Sequence, residues 1–286
     1  EGPPPQVTSR NRKGASPFGY REVQERLVTS VLKQDPGGLL FREARFKTDT
    51  SFPDWLAGEW LVRATIDEVS LPLGKKYKPI EPTICSGKME LWSPFGPCFL
   101  PAAVQEEEGR EVYYRYKWDK NIRGVSRDHP FNFVELVGAY GNGYEPQDVE
   151  YDYAIKTLTG RLKSPGSGRN ETDTSVAIRK IRGFGTERCS TCSTFVCWDM
   201  YDSIVRSDDA GKKTTRRFEI ITSYHIVEST PYDDEGEYGD TIEALQRVAL
   251  YLGPTDEWYE ETKGFAVALI DIKLVLRRVL KSETFA

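Results

Sequence analysis

Five segments of the chain alternate apolar and polar residues with a period of two, and that pattern limits the fold more than any other feature. Trp60, Val62, Ala64 and Ile66 point one way, while Arg63, Thr65 and Asp67 point the other. Val112, Tyr114, Tyr116 and Trp118 repeat the pattern against Glu111, Arg115 and Lys117. A third set holds Phe218, Ile220, Thr222, Tyr224 and Ile226. A fourth holds Ile242, Ala244, Val248, Leu250 and Leu252, interrupted by Gln246. The last runs Ala266, Ala268, Ile270, Ile272, Leu274 and Leu276. Successive side chains of a strand face opposite sides, so the alternation marks strands with one buried and one wet face, as in antiparallel sheets. Residues 106–109 and 208–211, rich in acids and ending in glycine, read as hairpin connections. Closing a long sheet removes its adhesive edges. The series therefore predicts a mainly β protein built as a closed antiparallel barrel, with a two-sheet sandwich as runner-up.

One helix precedes the strands. Tyr20, Val23, Leu27 and Val31 recur at three- and four-residue spacing, and Arg21, Glu22, Glu25 and Arg26 fill the opposite face. Asp35-Pro36-Gly37-Gly38 stops it. Residues 1–18 carry prolines and basic residues with almost nothing apolar, which predicts a flexible basic arm. The expected organisation is this arm, then a helix and connector over 19–51, then the barrel over 52–286. The final strand is apolar on both faces at its start, through Phe265, Val267 and Leu269, so it needs an outer cover. The N-terminal helix is the natural one.

Composition narrows the function classes. The longest apolar run, residues 265–270, is far short of the ~20 residues of a membrane-crossing helix, so no transmembrane segment is expected. A net charge of −5 argues against broad nucleic-acid binding, which needs cations on phosphates. The chain opens on Glu1 and not Met, which predicts either a shortened chain or a precursor from which a targeting segment has been removed.

The segment Phe52-Pro53-Asp54-Trp55-Leu56-Ala57-Gly58-Glu59-Trp60 resembles the opening of lipocalin-like (calycin) barrels, where a short helical turn leads to Gly-x-Trp on the first strand. The resemblance implies that Trp60 plugs one barrel end behind Gly58, with an arginine of the last strand, Arg277 or Arg278, packed over it. Residues 52–74, including Val69-Ser70-Leu71-Pro72-Leu73-Gly74, further resemble an uncharacterised family of cyanobacteria and plastids whose plant and algal members are thylakoid-lumen proteins. That likeness implies a chloroplast thylakoid-lumen location, peripheral to the membrane, with transit signals removed and disulfides tolerated.

Candidate sites each carry a plainer alternative. Cys189-x-x-Cys192 with Cys197 has three thiols where zinc wants four ligands, and runs into a strand where a redox pair wants a helix start. Structural cysteines or a disulfide rank first, redox activity second and metal last. Cys85 and Cys98 bracket a proline-rich loop that a bridge would stabilise by roughly 3 kcal/mol, with two buried thiols as the alternative. The lumenal location favours the bridge. His129 sits before Pro130 in an apparent loop, and His225 alternates outward. Gly183-Phe184-Gly185 and Gly141-Asn142-Gly143 read as turns. Tyr114, Tyr116, Trp118 and Tyr224 face inward and either line a cup for an apolar ligand or fill the barrel themselves. Trp258 and Tyr259 are loop aromatics suited to a protein partner.

No nucleophile elbow, zinc helix, phosphate loop or dinucleotide fingerprint occurs, so no enzyme activity and no cofactor are expected. The leading expectation is a non-enzymatic lumenal auxiliary protein that docks on a photosynthetic membrane complex, photosystem II during assembly or repair. The alternative is a lipocalin-like carrier of a small lipid or pigment.

Overall fold

A computed structural model describes residues 20–34, 52–77, 109, 111–122, 124–140, 144–163, 174–187, 194–207, 213–227, 241–254 and 256–279. Ten strands carry most of it: β1 (Gly58–Ser70), β2 (Glu111–Asn121), β3 (Gly124–Arg127), β4 (Glu145–Asp152), β5 (Thr157–Lys163), β6 (Thr174–Glu187), β7 (Thr194–Ser207), β8 (Lys213–Val227), β9 (Thr241–Tyr251) and β10 (Ala268–Arg278). Three helices accompany them: α1 (Tyr20–Val28), α2 (His129–Tyr140) and the single turn α3 (Tyr259–Thr262). The arm over 1–18 and the expected turns at 106–108, 141–143 and 208–211 lie outside the described residues.

All ten strands form one antiparallel sheet in the order β3-β2-β1-β10-β9-β8-β7-β6-β5-β4. Neighbours in sequence are neighbours in the sheet except at one place, between β3 and β4, and the first strand pairs with the last. The sheet curls into a half-barrel rather than the closed barrel the alternation predicts. Closure fails at the β3/β4 seam for a local reason. β3 is four residues long and β4 is broken by a register shift between Gln147 and Glu150, with Asp148 at φ 50.

Helix α2 fills the seam, packing on both β2 and β4. Asp128 caps it, accepting from the Phe131 N–H at 3.1 Å. Below the reach of β3, the open edge of β2 is met by α2 side chains instead of a strand. The Lys117 N–H donates to Asn132 Oδ1 at 2.7 Å, and Asn132 Nδ2 donates to the Lys117 carbonyl at 2.9 Å. The Arg115 N–H donates to Glu135 Oε2 at 3.1 Å. A covered edge cannot recruit a foreign strand.

The sheet is apolar on both faces from β7 to β10. Inward residues such as Phe195, Phe218, Val248 and Ile270 join the main core. Outward residues Val196, Trp198, Ile221, Ala249, Tyr251 and Leu269 form a second cluster with Val23 and Leu32, and Leu27 packs against it. Helix α1 thus lies over the outer face of β7, β8 and β9. Its apolar stripe ends differently from the periodic expectation. Val31 is exposed and Leu32 buried, because the helix stops at Val28 and the extended chain beyond it runs beside Phe265.

Arg26 is a larger correction. Periodicity places it on the wet face, yet it is buried and donates from Nε and Nη2 to the two oxygens of Glu219, both at 2.6 Å. Glu219 is fully buried and also accepts from Trp198 Nε1 at 2.7 Å and from the Tyr251 hydroxyl at 2.6 Å. Four donors therefore satisfy one carboxylate under the helix, which is the condition for keeping a charge out of water. The carbonyls at the end of α1 are taken up by Arg247, which donates to Thr29 O at 2.6 Å while held by Asp271.

Replacing Arg26 with Leu strands a buried carboxylate, and the expected loss of stability is ~3–5 kcal/mol. Adding Glu219→Met should return most of it. Urea unfolding of the single and double variants measures both.

Candidate functional site

The two ends and the middle of the curled sheet are occupied differently. At the end where β1 begins, Trp60 is fully buried and its indole N–H donates to the Leu56 carbonyl at 2.9 Å. Arg278 lies over the ring at 4.3 Å and donates to the carbonyls of Ala57 (2.7 Å) and Trp55 (2.9 Å). Gly58 holds φ +119, and a Cβ there would stand 2.9 Å from Arg278 Nη1, so both its backbone and its neighbour require glycine. Arg277 alternates to the exposed side and takes no part. At the opposite end, Trp258 and Tyr259 pack against the core. Lys76 sits over the Trp258 ring at 4.3 Å and is tied to Glu261 at 2.9 Å. These rings, expected to await a partner, are used within the chain.

Between the ends lies a cavity with about 80 Å³ of space for water-sized molecules, within about 810 Å³ of non-atom volume that includes its opening. Tyr114, Tyr116, Trp118 and Tyr224, the four inward aromatics of the alternation, all line it. They touch one another: Tyr116 and Trp118 at 4.5 Å between ring centres, Trp118 and Tyr224 at 6.0 Å, Tyr114 and Tyr116 at 6.5 Å. The rings therefore fill part of the interior and wall the rest. Ile178, Leu158, Phe133 and Leu136 complete the apolar wall.

The polar part of the wall was not visible to periodicity. Arg127, the last residue of β3, is buried and donates to Asp199 Oδ2 of β7 at 2.5 Å and to the Tyr201 hydroxyl at 3.1 Å. Its guanidinium also covers Phe52 at 4.7 Å and approaches Cys197 Sγ at 3.6 Å. Lys180 of β6 reaches the other Asp199 oxygen at 2.8 Å. Burial alone would raise the Asp199 carboxyl, but Lys180 and Arg127 outweigh it and hold the group below the usual carboxylate range. The trio carries a net positive charge. Arg127, Lys156 and Lys180 are among the described residues that line the cavity.

Two local features make room for this trio. A register shift between Lys180 and Arg182 bulges β6 opposite the Asp199 segment. Gly183 then leaves space, since a Cβ there would press on Asp199 Oδ1 and come within 2.6 Å of Lys180 Nζ. Gly183 and Gly185, read as part of a turn in the sequence, lie inside β6, and Gly183 is the one that makes this room.

Three buried polar atoms of the lining have no hydrogen-bond partner among the described residues: Trp118 Nε1, Arg127 Nε and Gln246 Oε1. Gln246, the interruption in the fourth alternating segment, keeps one bond, from its Nε2 to Thr222 Oγ1 at 3.1 Å. Buried polar groups are nearly always satisfied, so these atoms are exceptions within the packed wall rather than groups that face the cavity.

His129 opens α2 rather than a loop, lines the cavity and stacks on Tyr151 at 4.0 Å between ring centres. Burial, then the charges of Lys180 and Arg127, push its pKa down to about 3. His225 is exposed and meets Thr194 Oγ1 at 3.0 Å. Cys197 is a free buried thiol, and burial pushes it up to about 12, which keeps it protonated and unreactive. Cys85, Cys98, Cys189 and Cys192 lie outside the described residues. Among the described residues no three His, Cys, Asp or Glu side chains converge to hold a metal ion, and no helix is long and apolar enough to cross a membrane.

The family described as "Domain of unknown function (DUF6816)" matches residues 46–280. No curated protein and no solved structure matches the chain.

Two outcomes follow for the trio and its neighbour. Gly183→Ala should displace the Lys180–Asp199 contact and cost about 1–3 kcal/mol, read by urea unfolding. His129 binds its proton less readily folded (about 3) than unfolded (6.5), so the unfolded chain takes up protons first on acidification. Its contribution is intact above about pH 6.5 and is lost progressively as pH falls toward about 3. His129→Phe should flatten that part of the stability–pH profile, measured by thermal unfolding across the window.

Proposed function

The chain belongs to the DUF6816 family, for which no role is given, and we propose from its own residues that it binds a small, largely apolar ligand inside a lipocalin-like cup. The observation that carries this is the cavity wall. Clustered aromatics and aliphatics surround a few polar side chains, among them Arg127, Asn132 and Gln246. Ligand sites combine these two ingredients, an apolar body contact and sparse polar anchors that set orientation. The meander that pairs its first and last strands, and the Trp60 plug beneath Arg278, favour the lipocalin-like comparison. The reading requires no catalytic group and no cofactor.

A second reading, docking on photosystem II or another thylakoid membrane complex from the lumenal side, draws on the resemblance of residues 52–74. It is favoured by Tyr153 and Ile155, both well exposed in the β4–β5 turn. Affinity purification from thylakoids should recover photosystem subunits with the intact chain and fewer with Tyr153→Ser/Ile155→Ser; equal recovery would remove the surface from consideration.

Titration with decanol, a neutral apolar probe, tests the first reading. Saturable binding at about one molecule per chain is expected, and Ile178→Trp, which fills the cavity, should weaken it about tenfold or more. A non-saturating response that the filling substitution leaves unchanged would defeat the proposal.

A further inference from the structure

We infer that the cavity fills from a lipid surface, through a mouth beside the β4–β5 turn, with Tyr153 and Ile155 as the side chains that enter the lipid. The inference rests on the cavity being a binding site and adds the phase that delivers the ligand.

Exposure locates the mouth. The residues that line the cavity are buried except for Tyr116, His129, Tyr151 and Lys156. Three of the four meet at one place. Tyr151 is the penultimate residue of β4, Lys156 ends the turn that follows, and His129 stacks on Tyr151 at 4.0 Å between ring centres. Lys156 lines the cavity, while its turn neighbours Tyr153 and Ile155 stand 65% and 62% exposed. The interior and the bare tip are therefore adjacent in the chain.

The tip is braced in this outward pose. Asp152 Oδ1 accepts from the N–H groups of Ala154 at 2.8 Å and Ile155 at 3.3 Å. The Lys180 N–H of β6 donates to the Lys156 carbonyl at 2.9 Å, and Tyr153 meets the Tyr151 ring edge-on at 4.8 Å. A turn held from both sides keeps its apolar residues in water, at a cost that contact with an apolar phase removes. Tyr153-Ala154-Ile155 is too small a tip to supply the ~800 Å² per partner of a stable protein interface, whereas a bilayer needs no matching surface. In the antiparallel order β2 and β4 run in the same direction, so the β2–β3 turn leaves the sheet toward the same end, and it carries the fully exposed Ile122. Two separate apolar tips suit a flat apolar layer, and tyrosine favours the level where acyl chains meet headgroups. Charge points to a neutral lipid: Asp152 and Lys156 oppose each other at the tip, and the chain carries −5 overall. A largely apolar ligand is concentrated in the same layer.

Flotation of the full chain with phosphatidylcholine vesicles, beside decanol titration in buffer, tests the inference. The chain should float with the vesicles. Tyr153→Ser/Ile155→Ser should weaken flotation roughly fivefold or more and leave decanol affinity in buffer unchanged. Val28→Ser, at a more exposed position on α1 over the outer face, should change neither. Uptake of decanol from loaded vesicles, followed by tryptophan fluorescence, should quicken with vesicle concentration for the intact chain and not for the double variant. An intact chain that stays off the vesicles, or a double variant that floats as well, would overturn the lipid inference, while decanol binding would keep the cavity reading standing. Equal loss of flotation with Val28→Ser would show general adhesiveness and refute the assignment. Recovery of photosystem subunits without flotation would give the turn to a protein partner instead. Absence of decanol binding would overturn both readings.

Discussion

The four-residue length of β3 is the constraint on which the rest depends. Asp128 ends the strand and caps a helix in one step, so β2 is left with an edge that no strand can cover. Asn132 and Glu135 supply the missing partners from α2, and the seam is sealed by side chains. A sealed seam of this kind differs from a closed barrel in one respect: the end of β3 faces the interior without a neighbouring strand on its far side. Arg127 occupies that position and spans to Asp199 on β7. The cavity, its charge and its unpartnered donors all sit beside this crossing.

The interior and the outer face solve the same electrostatic problem in different ways. Under α1, Glu219 collects donors from Arg26, Trp198 and Tyr251, and its carboxylate is saturated. Such a network positions the helix and offers nothing to a ligand. Inside, Asp199 is shared by Arg127 and Lys180, which ties β3, β6 and β7 together across the interior. Replacing a buried ion pair by apolar residues is often neutral or stabilising, so a charged core is costly to keep. The network under α1 is explained by helix docking.

What the sequence disclosed follows the physics of each segment. β1 and β2 have one buried face each, and β8, β9 and β10 keep one over the part of each strand outside the two-sided core, so alternation exposes them. β7 was legible as a strand through residues 194–198, but it is buried on both faces, so Asp199 does not stand out as an inward charge among polar outward neighbours. β4 is short and mixed in burial, and β6 carries glycines that mimic a turn, of which Gly183 makes room for an ion pair. Helix α2 is apolar almost all round because it fills a seam, which erases the stripe that periodicity relies on. Its start was nevertheless written in the sequence: Asp128 two residues before Pro130 is a helix-opening pattern. Arg26 shows the reverse failure. Its helical position was right, and only the partner, Glu219 at the far end of the chain, decides that it is buried. The aromatic lining could be read from β2 and β8, while the cationic end required the register of β3, β6 and β7.

Protonation states bear on what such an interior can do. Burial drives Cys197 and Tyr116 up to about 12, and burial with two nearby cations drives His129 down to about 3. Asp199 is held ionised by Arg127 and Lys180, and Arg127 is held charged by Asp199 in spite of its burial. Each group is moved away from neutrality and fixed in one state across the physiological range. General acid–base chemistry needs the opposite, a group poised near the working pH so that it can both take and give a proton. Fixed charges and fixed donors are what orientation and affinity need. The electrostatics around Arg127 are therefore largely indifferent to pH until His129 begins to charge.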